Sequence, residues 1–116
     1  MTKRIEDLKR EVKEFICERD WEQFHSPKNL AVGLSVEASE LLEIFTWLTD
    51  EESHGLDSDK RSQVKDEVGD ILIYLLDFCE TMNLDPIECA FQKLKKNAEK
   101  YPISKAKGNA TKYTDL

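Results

Sequence analysis

The chain reads as an all-α protein, a four-helix bundle completed by packing between copies. Three observations carry that reading. Apolar residues recur at i, i+3, i+4 and i+7 over long stretches. Only four glycines and three prolines punctuate 116 residues. Charged residues make up 35% of the chain, as exposed helix faces require. Hydrophobic residues, at 40%, suffice for the core of one domain, with little surface to bury alone; remaining apolar stripes are expected to meet another subunit.

The first helix spans Ile5 to about Asp20, with Ile5, Leu8, Val12, Phe15 and Ile16 along one side. The segment DWEQFHSP breaks this period. Ser26 is a good N-cap and Pro27 a good first residue for a second helix that runs to about Thr49. Asp50 to Asp59 is polar, contains Gly55 and reads as a loop. The third helix starts near Ser58 and ends near Asn83. Asp85-Pro86-Ile87-Glu88 combines a cap, a first-position proline and a first-turn acid, so it opens a fourth helix that reaches about Lys100. Pro102 stops it. The expected organisation is a helical domain over residues 1–102 and a basic tail over 103–116.

Two helices carry acids where oil is expected. On the second, Leu30, Leu34, Leu41, Ile44 and Leu48 form the inner stripe, and Glu37 and Glu40 fall inside it. At about 100° per residue, Leu41 lies at about +40°, Ile44 at about −20° and Glu40 at about −60° from Glu37. On the third, Val64, Ile71, Tyr74 and Phe78 form the stripe, and Glu67 and Asp70 repeat the i, i+3 spacing within it. Glu43 and Asp66 are off phase and face solvent. Unpaired buried carboxylates are costly unless they are protonated, ion-paired or bound to a cation. If the two helices pack together, the four carboxylates Glu37, Glu40, Glu67 and Asp70 converge into a site for a hard divalent cation. No histidine follows either pair, as it would in a di-iron bundle, so the all-oxygen set selects Mg²⁺, with Mn²⁺ as a substitute.

Charge narrows the partners. The formal net charge of −7 disfavours duplex nucleic acid. Seven lysines from Lys93 onward face two acids, Glu99 and Asp115, so this last segment is +5 and the first 92 residues are −12. A phosphorylated ligand could lie between an acid-bound metal and the basic end. The uncharged stretch Asn29 to Val36 is far too short for a membrane span, and the charged start does not read as a signal peptide. Cys17, Cys79 and Cys89 have no CxxC spacing; at helical positions expected to be buried, they suit reduced thiols in the cytoplasm.

Trp21, Phe24, His25, Trp47 and Tyr74 form an aromatic set. On a helix continued to Thr49, Trp47 stands about 20° from Glu40, and Tyr74 is one turn beyond Asp70. Each alone suits a core; as a set beside a metal they could sandwich a flat base. Lys93, Asn97 and Tyr101 share helical spacing on the fourth helix, and the first two could reach phosphate.

These residues resemble a known family. E37-x-x-E40 followed by E67-x-x-D70, each in an apolar helix, is similar to the MazG-like all-α nucleoside triphosphate pyrophosphohydrolases. RDWEQFHSPKNL (19–30), EIFTWLTD (43–50), DEVGDILIYLL (66–76) and the ending NAEKYP…KYTDL resemble its dCTP pyrophosphatase branch. The resemblance implies hydrolysis of a (deoxy)nucleoside triphosphate, dCTP or a modified dCTP, to monophosphate and pyrophosphate, and a homodimer or homotetramer. It implies metal binding by the four acids; for such metal-assisted cleavage, either inner-face glutamate, Glu37 or Glu40, could accept the proton of the attacking water. Trp21, Glu22, Gln23, Phe24, His25, Trp47 and Tyr74 would line the base and sugar pocket, and Lys93, Asn97 and Tyr101 would contribute from the fourth helix. Val12 stands where animal members of the branch carry a histidine, so the base preference stays open. Two other readings fit the same scaffold: another substrate, such as phosphoribosyl-ATP, or a helical interaction module without activity.

Overall fold

The computed structural model describes residues 3–116. Its helices begin where local chemistry supplies a partner for the first unbonded N–H groups. Helix α1 (Ile5–Glu18) opens with the Asp7 carboxylate accepting from the Arg4 backbone N–H at 3.1 Å. Helix α2 (Pro27–Phe45) has Ser26 as N-cap, its hydroxyl accepting from the Asn29 N–H at 3.1 Å, with proline at the first position. Helix α4 (Ser58–Thr81) is capped by Asp57, which accepts from the Lys60 N–H at 2.8 Å. Helix α5 (Pro86–Lys100) is capped by Asp85, which accepts from the N–H groups of Ile87 and Glu88. Each such cap stabilises its helix by about 1 kcal/mol. Asp20 and Asn83, at φ 52° and 55°, take the left-handed conformation common just past a helix end, after α1 and α4.

The all-α class and the four long helices are as expected, and no strand occurs among the described residues. Two stretches expected to be irregular contain short helices. Asp50–Ser53 forms a single turn, α3, because Thr49 and Glu52 make a capping box: the Thr49 hydroxyl accepts from the Glu52 N–H and the Glu52 carboxylate accepts from the Thr49 N–H. Since Thr49 caps α3, it cannot also end α2, which stops at Phe45. The expected tail contains another turn, α6 (Ile103–Ala106), and a closing 3-10 turn over Tyr113–Asp115.

The chain divides into two compact units, Met1–Asn83 and Leu84–Leu116. In the first, α4 is central: α2 packs along it, and α1 lies against it more sparsely. Val12, Ile16, Leu30, Leu76 and Cys79 are the buried residues among those described. Leu34, Leu41, Ile44, Val64, Ile71, Tyr74 and Phe78 are half-buried, on the sides the periodicity assigned to the core. Phe15 is a correction. It stays exposed, with Trp21 edge-on at 5.7 Å and the Arg19 guanidinium 3.6 Å over its ring. The cysteines are a second correction. Cys79 is buried, but Cys17 and Cys89 are exposed, one residue out of phase with the core or on a helix with little buried surface; no disulfide forms.

In the second unit Tyr101 meets Tyr113 edge-on at 5.9 Å, and the Lys100 ammonium lies 4.6 Å from the Tyr113 ring centroid. No helix among the described residues is long and apolar enough to cross a membrane.

Candidate active site

The close pairing of α2 and α4 depends on one glycine. A Cβ at Gly33 would collide with the Tyr74 ring, at 2.8 Å from Cζ. The bare backbone at Gly33 therefore lets Tyr74 lie against α2, and the acids one turn and more away are drawn into the same seam. Glu37, Glu67 and Asp70 each place one carboxylate oxygen within 4.8 Å of the others. Two are half-buried and Asp70 is exposed. Oε2 of Glu37 and Oε2 of Glu67 are buried without a hydrogen-bond partner. Buried carboxylate oxygens without a hydrogen-bond partner are unfavourable unless a proton or a cation satisfies them.

The electrostatics follow from that crowding. Burial, then the adjoining Glu67, Glu40 and Asp70 carboxylates, pushes Glu37 up to about 7. Burial, reinforced by Glu40 and Asp70, also raises Glu67, with its contact to Glu37 working in the opposite direction. Near neutral pH the pair thus holds a proton that a divalent cation could displace. The donors are all carboxylate oxygen, the set that suits Mg²⁺ or Mn²⁺, and the orphaned oxygens are available to it.

Glu40 is not among the three converging residues. It is exposed and lines an open groove with Glu43, Ile44, Gln63, Asp66 and Glu67, close enough to add to the charge on Glu37 and Glu67. Glu43 and Asp66 are exposed, as their phase required.

The aromatic set divides. His25 and Glu22 line a cavity of about 320 Å³ between α1, the 3-10 turn Glu22–Phe24 and α4. Trp21 lies against Phe15, with the His25 ring 6.4 Å away. Gln23 bonds back to Asp20, and Phe24 is exposed. Trp47 does not stand on the α2 face beside Glu40. The helix has already ended, the Thr46 hydroxyl donates to the Leu42 carbonyl at 3.0 Å, and Trp47 is 92% exposed in the following turn. Lys93, Asn97 and Tyr101 belong to the second unit. There Lys93 is held below the usual lysine range, first by the charge of Lys100, two turns on along the same face.

Sequence reasoning missed two residues. Gly33 looked like an ordinary helix position, since its role appears only when α4 arrives. Asp77 accepts a 2.7 Å hydrogen bond from His25 Nδ1 and lines the cavity. Its signal was available: seven residues past Asp70, it is in phase with the acid face of α4.

A MazG-like family model matches residues 32–116, which include both acid pairs. The chain belongs to the MazG-like family. It is 39% identical to dCTP pyrophosphatase 1 of Mus musculus over 97% of this chain and 67% of that protein. Identity to the Bos taurus protein of the same name is 40%, over 97% and 68%. A crystal structure of a pyrophosphatase from Archaeoglobus fulgidus superposes with a TM-score of 0.81 at 40% identity, covering 88% of this chain and 95% of that one.

Proposed function

We propose that this MazG-like protein hydrolyses a deoxynucleoside triphosphate, dCTP foremost, to the monophosphate and pyrophosphate. The dCTP pyrophosphatases at about 40% identity along almost the whole chain support pyrophosphohydrolase activity on nucleoside triphosphates. The observation that carries the site is the meeting of Glu37, Glu67 and Asp70 within 4.8 Å, with two orphaned buried oxygens. In this proposal those three residues hold Mg²⁺, and Mn²⁺ substitutes for it. The ion, when bound, neutralises phosphate charge and lowers the cost of a negative leaving group.

The rest falls to the chain's own groups. Water adds to the α-phosphorus, the bond from that phosphorus to the bridging oxygen breaks, and pyrophosphate departs. Of the two candidate proton acceptors, Glu40 is the better placed, since it faces the open groove and lies outside the converging three. Glu37 instead belongs to the ion site. Tyr74, His25 and Glu22 form the nucleoside end, with Trp21 behind His25. Gln23, Phe24 and Trp47 are kept as substrate contacts of the assembled enzyme, as are Lys93 and Asn97 toward phosphate and Tyr101 beside them.

We also propose a homodimer or homotetramer. The support is the apolar outer side of α2, where Val32, Val36 and Leu42 are all exposed. The reduced cysteines agree with a cytoplasmic setting.

A pyrophosphate-release assay over the common dNTPs tests the activity. Glu40→Gln should abolish turnover while keeping the thermal shift given by Mg²⁺, and Asp70→Asn should lose both. Full turnover in both variants would refute the site assignment.

A further inference from the structure

The cavity beside α1, at about 320 Å³, has room for one base-sized ring. Val12, Ile16 and Leu76, all buried, supply an apolar floor, and the polar groups sit at its edge. Lys13 on α1 and Glu80 on α4 also line the cavity, Lys13 donating to Glu80 at 3.1 Å in an exposed pair that adds little stability. About 320 Å³ lies at the lower end of the range for small-molecule pockets. Its position also fits. Asp77 is seven residues beyond Asp70 on α4, two turns along the same face, a rise of roughly 10 Å. Tyr74 lies between them. A nucleotide with its phosphates at Asp70 and its base at Asp77 would run along one helix face.

The most polar feature of that far end is the His25–Asp77 pair. Its members' side chains are only 24% and 12% exposed, and Nδ1 to Oδ2 is 2.7 Å. A carboxylate only accepts, so the shared hydrogen belongs to Nδ1. When the ring is neutral, a proton on Nδ1 leaves Nε2 as an acceptor beside the second oxygen of Asp77. The pair therefore asks its ligand for hydrogens.

We infer that the His25–Asp77 pair reads an exocyclic amine on the base, and that Asp77 is a specificity-determining residue. This rests on the pocket being the nucleoside end of the site proposed above. The 4-amino group of cytosine offers two hydrogens, and a carboxylate accepting from it is a known mode of cytosine reading. The 4-oxo oxygen of uracil or thymine would face two acceptors in the same place and leave them unpaired. Asp77 also sets which ring nitrogen of His25 is protonated, so it acts twice: through His25 and directly.

The experiment compares dCMP with dUMP, which differ in whether position 4 carries an amine or an oxo group. Dissociation constants are measured by calorimetry, where no turnover is needed. The wild-type chain should bind dCMP roughly tenfold or more tighter than dUMP. Asp77→Asn, nearly isosteric, turns an amide N–H₂ toward the ligand and should bring the ratio to one or invert it. Its melting curve should still be cooperative. A folded Asp77→Asn protein with the wild-type ratio overturns the inference. So does a wild-type chain that binds both nucleotides equally, and that result decides the matter even where the variant does not fold. A chain that discriminates the two monophosphates but hydrolyses no triphosphate would instead refute the proposed activity and leave this role of Asp77 standing.

Discussion

Tyr74 rests against the backbone of Gly33, so near that no side-chain carbon fits between helix and ring. This contact sets the separation of α2 and α4 at the level of the acids. Gly33→Ala should therefore destabilise the chain by about 1–3 kcal/mol, the usual range for overpacking a close contact. It should also weaken the Mg²⁺-dependent thermal shift, because Glu37 is one turn away. Gly33→Ala combined with Tyr74→Leu should recover much of the stability, measured by urea unfolding, but not nucleotide binding.

Glu37 is the residue whose removal should help the empty protein. With Oε2 of Glu37 and Oε2 of Glu67 buried and unpartnered, Glu37→Gln removes a charge that the fold disfavours. In EDTA at pH 8 the variant should melt at a higher temperature than wild type. In Mg²⁺ it should show no thermal shift and no pyrophosphate release. A variant less stable than wild type in EDTA would mean the acids are already well satisfied.

The pH dependence has a definite sign. The folded chain holds the Glu37 proton up to about 7, whereas an unfolded glutamate loses it near 4.5. Between those values the native state binds more protons. Its stability contribution is full below about 4.5 and is lost as pH rises through about 7. The melting temperatures of wild type and Glu37→Gln in EDTA should therefore be similar near pH 5 and diverge by pH 8. A cation competes with that same proton, so Mg²⁺ affinity should fall by about tenfold per pH unit below 7. Isothermal titration at pH 6 and pH 8 measures it.

Leu30 is the most deeply buried side chain among the described residues, at 1% exposure. Leu30→Ala should cost about 2–5 kcal/mol by urea unfolding, with residual activity at low temperature. It stands in the first two turns of α2, so the loss reports on how α2 is seated rather than on the acids.

The helix starts were legible because they are local chemistry. Ser26-Pro27 and Asp85-Pro86 each supply a cap and a pre-set backbone within two residues, and both helices begin there. The inner stripes and acid pairs were legible because helical phase alone puts Glu37 and Glu67 on the packed faces. Trp47 was misplaced for an equally local reason that competed with periodicity. Thr49 and Glu52 form a capping box, which ends one helix to begin another. The roles of Gly33 and Asp77 have a different origin: phase places Asp77 on the acid face of α4, but does not name its partner. Each gains its meaning from a partner more than forty residues away, Tyr74 or His25, and no period records such a meeting. Phe15 belonged to the first stripe by count, but Arg19 and Trp21 hold it at the surface.

The two tryptophans differ in environment, although both are exposed. Trp47 projects almost wholly into water, while Trp21 is shielded on one side by Phe15 and lies near the His25 ring. Their fluorescence should accordingly have two components, a red-shifted one from Trp47 and a bluer one from Trp21. A second copy that covered Trp47 would shift only the first, whereas a nucleotide seated at His25 would reach Trp21 as well. The protein thus carries its own optical reporter, and Trp21→Phe would isolate the signal without any added dye.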